Sequence, residues 1–132
     1  EWREKAAGLA FVNVLKADLG EARLLSGAAE PDRAARAIAR LGPREVVITM
    51  AAEGALVLAD GALHPIPALA PRAIVDPTGC GDSFLAGYLA RRLGGDDAAA
   101  AGRFAAALAT VKLERAGPFT GDAAEVRARL RA

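Results

Sequence analysis

The run Val46-Val47-Ile48-Thr49-Met50 constrains the fold of this chain most. It is short, rich in β-branched residues and uninterrupted by charge. That pattern fits a strand covered on both faces, as in the middle of a parallel sheet. The flanking segments fit the same frame. Pro31 suits a first helical position, Ala34, Ala35, Ile38 and Leu41 recur at helical spacing, and Gly42-Pro43 stops that helix before the strand. Upstream, Leu9 to Leu15 reads as another strand. Asp18 and Glu21 have the spacing of a capping box, opening a short helix that Gly27 closes. Downstream, Ala55 to Ala59 and Ala62 to Ile66 flank Asp60-Gly61, a two-residue turn that requires positive φ, and so read as a hairpin.

Prolines 65, 67 and 71 stiffen the connection into Ala73-Ile74-Val75, after which Asp76-Pro77-Thr78-Gly79-Cys80-Gly81-Asp82 breaks all periodicity. A helix follows at once, with Phe84, Leu85, Tyr88, Leu89 and Leu93 on one face and Gly94-Gly95 at its end. Asp96 or Asp97 caps an alanine-rich helix running to about Leu113, and a last helix is expected from Asp122 to Arg131. Alternation of strands and helices in this order specifies an α/β layer architecture.

Composition removes several classes of function. Seventeen Lys and Arg against sixteen Asp and Glu leave a formal charge of +1, too balanced for an electrostatic grip on nucleic acid or anionic lipid. An anion must therefore be held locally. The lone Cys80 forms no internal disulfide, and no Cys/His spacing suits a structural zinc, so a reducing cytoplasm is the expected compartment. No apolar run reaches the ~18–20 residues of a membrane span, and Glu1-Trp2-Arg3-Glu4-Lys5 lacks a signal-peptide pattern. His64, the single histidine, stands beside Pro65 in a hairpin arm and reads as a partly exposed side chain. With 132 residues the chain makes one domain at most, or part of one.

Gly79-Cys80-Gly81-Asp82 carries the chemistry. Two glycines free the backbone to turn N–H groups toward one point where a helix begins, which makes an anion cradle. No lysine stands where a P-loop needs one, and the third glycine of a dinucleotide fingerprint would fall at Phe84, so neither pattern fits. Asp82 admits two readings. Aspartate is a preferred helix N-cap; equally, a loop that must deprotonate an attacking hydroxyl needs a carboxylate beside its N–H donors. By spacing alone, Asp18 and Glu21 read as a capping box.

Asp76-Pro77-Thr78-Gly79-Cys80-Gly81-Asp82-Ser83-Phe84, with Ala86-Gly87 after it, resembles the C-terminal signature of the ribokinase-like, or PfkB-type, carbohydrate kinases. Lys16-Ala17-Asp18-Leu19-Gly20-Glu21-Ala22 is similar to the family's Asn-x-x-Glu region. Val47 to Ala55 is similar to its strand and Thr-x-Gly-x-x-Gly turn. The resemblance covers nearly the whole chain but only the C-terminal half of a family member of ~300 residues. It implies a three-layer α/β/α sandwich with a mostly parallel central sheet, residues 1–132 forming the nucleotide-binding and catalytic part.

By the same resemblance Asp82 is the general base, and Gly79, Cys80 and Gly81 form the anion hole for the transferred phosphoryl group. Thr49, Gly54 and Thr78 border ATP. Glu21, with Asp18 in the family's Asn position, orders the water shell of Mg²⁺, and Asp76 stands where many relatives bind a monovalent cation such as K⁺. The implied partner is a small sugar or related metabolite, together with an N-terminal half or a second copy of the chain. Ala51 takes the place of the first glycine of the Thr-x-Gly-x-x-Gly turn, where a methyl group restricts the backbone. Cys80 replaces a more usual alanine and reads as packing. A second expectation, from the absence of a lid and sugar pocket in these residues, is a nucleotide-binding or partner-binding remnant without phosphotransfer.

Overall fold

The structure is a computed structural model that describes residues 7–131. The charged stretch Glu1–Lys5 lies outside the described residues. The ordered elements are β1 (Val14–Asp18), α1 (Leu19–Ser26), α2 (Pro31–Ala39), β2 (Glu45–Thr49), β3 (Ala55–Ala59), β4 (Ala62–Ile66), α3 (Cys80–Leu93), α4 (Ala98–Leu113) and α5 (Ala123–Arg131). The chain divides into two compact units, one formed by residues up to Met50 with Ala55–Pro65, the other by Ala51–Gly54 with Ile66 onward.

The four strands lie in the order β1-β2-β3-β4. β1 and β2 run parallel with Ala17 opposite Ile48 and Asp18 opposite Thr49. β2 and β3 run antiparallel with Val47 opposite Val57. The sheet in these residues is therefore mixed, because the chain returns antiparallel from β2 to β3. Asp60 and Gly61 adopt φ of 50° and 77°, the left-handed pair that a tight hairpin needs. Val46, Val47 and Ile48 are fully buried, as a central strand requires.

In the first unit, Ala34, Ala35 and Ile38 of α2 and Ala22 of α1 pack on Ala17, Val46, Ile48 and Leu58 of the strands. The Asp18 capping box is present, and Gly27 closes α1 in the left-handed conformation. One expectation fails: Leu9–Phe11 forms a 3₁₀ turn, and the strand begins only at Val14. Close approach explains it. A β-carbon on Gly42 would lie 2.2 Å from the Leu9 carbonyl oxygen, so the chain passes hard against that turn before the Asn13 carbonyl accepts the N–H groups of Arg44 and Glu45. Phe11 is left 90% exposed.

In the second unit α3 packs on α4, with Gly87 placed so that a β-carbon would come within 2.9 Å of the Leu108 side chain. Phe84 and Tyr88 are buried, but Leu93, placed by its spacing on the same apolar face, is 88% exposed at the end of α3. Asp97, not Asp96, caps α4 by accepting the Ala100 N–H at 2.7 Å. Asp96 instead holds the Arg91 guanidinium, which also lies 5.3 Å from the Phe104 ring centre. Phe104, Ala107 and Leu108 of α4 and Val126 of α5 form the unit's own apolar cluster.

Ala51 is held at φ of 51°, in a short 3₁₀ turn (Ala51–Glu53) after β2. An L-residue in that region is strained by about 1–2 kcal/mol. Ala51→Gly relieves this, partly offset by glycine's greater freedom when unfolded. The expected result is a net gain of about 0.5–1 kcal/mol in chemical denaturation. A loss of stability would show that the methyl group is used in packing.

Candidate active site: the N-terminus of α3

The turn before α3 is organised by Asp76. Its Oδ1 accepts the Thr78 N–H at 2.9 Å, and its Oδ2 accepts the Gly117 N–H at 3.1 Å and lies 3.3 Å from Lys112 Nζ. Donors from Thr78 first, then Lys112 and Gly117, hold the Asp76 carboxyl at about 2 against an ordinary 3.8. The carboxylate is accordingly ionised across the physiological range. Val75 and Asp76 both donate their N–H groups to the Leu113 carbonyl, so the exposed Ile74-Val75 segment is tied to the end of α4.

Gly79 follows in the left-handed conformation, φ 78° and ψ 3°, and α3 starts at Cys80 with no side-chain cap. The Cys80 N–H donates to the Pro77 carbonyl at 3.2 Å, and the Gly79 carbonyl accepts from Ser83 at 2.9 Å. The N–H groups of Gly79, Gly81 and Asp82 find no acceptor among the described residues. Free donors at a helix start, reinforced by the helix dipole, have the chemistry to receive an oxyanion.

Asp82 is the third residue of α3 and is solvent-exposed, and its carboxylate makes no hydrogen bond with the described residues. The N-cap reading of Asp82 is thereby excluded, since Gly79 holds that position. Burial raises the Cys80 thiol above its ordinary value, which keeps it a thiol and agrees with a packing role.

Asp18, Glu21 and Thr49 belong to the other unit. Asp18 Oδ1 accepts the Glu21 N–H and Glu21 Oε2 accepts the Asp18 N–H, each at 2.8 Å, so the capping box is real. Thr49 Oγ1 lies 3.4 Å from the Ala17 carbonyl, across the parallel pair. Gly54 stands at φ 90°, and a β-carbon there would lie 2.2 Å from the Ile66 carbonyl oxygen. Among the described residues no three His, Cys, Asp or Glu side chains gather into a metal-holding cluster. His64 is half-buried and takes no part.

Lys112 escaped the sequence reading. It is only 2% exposed, and Nζ lies 2.9 Å from the Asp76 carbonyl, 3.3 Å from Asp76 Oδ2 and 3.3 Å from the Arg115 carbonyl. The signal was available: between Arg103 and Glu114 it is the single charged residue in an otherwise apolar helical stretch. A charge in such a stretch is buried only when its donors are satisfied.

An α/β chain with free amide donors and an unbonded carboxylate on the opening turn of one helix has the parts of a protein that handles phosphoryl groups. The chain belongs to the pfkB family of carbohydrate kinases, whose family model matches residues 2–124. It is 42% identical over 88 residues to a nucleoside kinase of Methanothermobacter thermautotrophicus, a match taking in 63% of this chain and 28% of that protein. It is 46% identical over 72 residues to a cytidine kinase of Thermococcus kodakarensis, covering 53% of this chain and 26% of the relative. Among solved structures, a ribokinase II-like protein of E. coli in complex with ATP and Mg²⁺ superposes with a TM-score of 0.87 at 27% identity, over 98% of this chain and 42% of that one. The chain thus spans well under half the length of the relatives it matches. Among the described residues, no helix is long and apolar enough to cross a membrane.

Proposed function

We propose that this chain is the nucleotide-binding and catalytic part of an ATP-dependent kinase that phosphorylates a hydroxyl of a sugar ring, free or within a nucleoside. The observation that carries the reading is the exposed, unbonded Asp82 carboxylate on the same helical turn as the free N–H groups of Gly79, Gly81 and Asp82. Asp82 takes the proton of the acceptor hydroxyl as its oxygen bonds to the γ-phosphorus and the bond to the leaving ADP breaks. The amide donors receive the charge on the transferred phosphoryl oxygens. Cys80 contributes shape to this loop, since its own N–H is engaged by Pro77. Thr49, Gly54 and Thr78 are assigned to the nucleotide by resemblance.

Mg²⁺ suits the Asp18–Glu21 pair in one form. Each carboxylate spends one oxygen on the capping box and is exposed, which fits a cation that keeps several waters and meets one or two carboxylates. When bound, the ion offsets charge on the phosphates.

The test uses the polypeptide as it occurs naturally. Calorimetry with ATP and Mg²⁺ should show binding, and ADP release should depend on an acceptor, with nucleosides tried first because the relatives above act under those names, then free sugars and sugar acids. Binding without turnover on any acceptor selects the non-catalytic reading. Absence of ATP binding refutes both.

A further inference from the structure

A buried lysine can occupy an oxygen cage as a free monovalent cation would. An ammonium has three donors and no acceptor, and Lys112 Nζ has three oxygens within reach: the Asp76 carbonyl, Asp76 Oδ2 and the Arg115 carbonyl. Two carbonyls and a carboxylate are also what a hard cation seeks. The remaining Asp76 oxygen is taken by the Thr78 N–H. The residues at Asp76 therefore do not fit an additional monovalent ion, because its ligands already surround a charge that belongs to the chain.

The position of that charge matters. The Lys112 Cε would stand 4.0 Å from a β-carbon on Gly79, so the lysine stem runs beneath the left-handed turn that opens α3. Asp76 alone would put a negative charge next to a loop meant for anions. Lys112 balances it and, through the Asp76 carbonyl, fixes the start of the turn. It is held in turn by the Arg115 carbonyl beyond α4, and Gly117 adds a second tie from the same segment to Asp76.

We propose that the Lys112 ammonium is a tethered monovalent cation, a positioning residue that holds the Asp76–Gly79 turn and makes this protein independent of free potassium. The catalytic half of this statement rests on the kinase reading; the structural half does not, and the two are measured separately.

The experiment compares potassium, ammonium and tetramethylammonium chlorides at equal ionic strength on the naturally occurring polypeptide. Thermal unfolding and, where there is turnover, kcat should change by less than about twofold among the salts. An ion bound at a hundred times its dissociation constant would favour the folded form about a hundredfold, so a real site is visible in unfolding alone. Lys112→Ala empties the cage. It should lower stability, and kcat if the kinase reading holds, and potassium or ammonium but not tetramethylammonium should restore several-fold of the loss. Where that variant does not fold, Lys112→Met keeps the stem, loses the charge and carries the same comparison. Potassium-dependent unfolding or turnover of the unaltered protein overturns the proposal, as does a folded Lys112 variant indifferent to all three salts. Loss of turnover on every acceptor, with the unfolding results as expected, strikes the kinase reading alone.

Discussion

Asp82→Asn in the naturally occurring polypeptide is expected to lower kcat by about 10²–10⁴-fold, the range over which general bases contribute, while the affinity for ATP and Mg²⁺ stays within about twofold. The side chain is exposed and unbonded, so its amide neither opens a cavity nor orphans a partner. Melting should stay within about 0.5 kcal/mol of the parent, as for surface changes. The loss corresponds to roughly 3–5 kcal/mol of transition-state stabilisation. A kcat within a few-fold of the parent would remove Asp82 as base and leave only its presence near the helix dipole to explain it. Loss of folding would place it in the packing instead.

Gly54→Ala is expected to be among the most damaging single methyls in the described residues, lowering stability by about 2–6 kcal/mol. Two contributions add. The backbone at φ 90° strains any L-residue by about 1–3 kcal/mol. A β-carbon would also lie 2.2 Å from the Ile66 carbonyl oxygen and 2.8 Å from the Ala68 nitrogen, both main-chain atoms that cannot swing aside. Overpacking of that kind costs about 1–3 kcal/mol more. Against a typical total of ~5–15 kcal/mol this is a large share. Urea unfolding measures it directly, and a shift below about 1 kcal/mol would mean the turn is freer than its geometry indicates. The contrast with Ala51→Gly is instructive, because the two positions lie three residues apart and both stand at positive φ, yet only one carries a side chain.

Local chemistry made much of this structure readable in advance. The Asp18–Glu21 box, the left-handed Gly27, Pro31 at the start of α2 and the Asp60-Gly61 hairpin all follow from preferences that act over a few residues. The same holds for the break at Gly79. Failures came where distant parts of the chain decide. Leu9 to Phe11 has a strand's composition, yet the close passage of Gly42 bends it into a turn. Leu93 has helical spacing but falls at the last turn of α3, where nothing covers it among the described residues. Lys112 stood out as a charge in an apolar stretch, but its meaning required knowing that Asp76, thirty-six positions earlier, would sit beside it. Of the site, the backbone cradle was visible in the glycines, whereas the cation beneath it was a tertiary fact.

Because Gly79 bears no side chain, α3 begins without the internal oxygen that most helices supply for themselves, worth typically ~1 kcal/mol. On the proposed function, an arriving oxyanion would complete that first turn from outside by docking on its free N–H groups. Occupancy and local rigidity would then be a single event, and amide exchange along Gly81–Ser83 should slow when nucleotide is present.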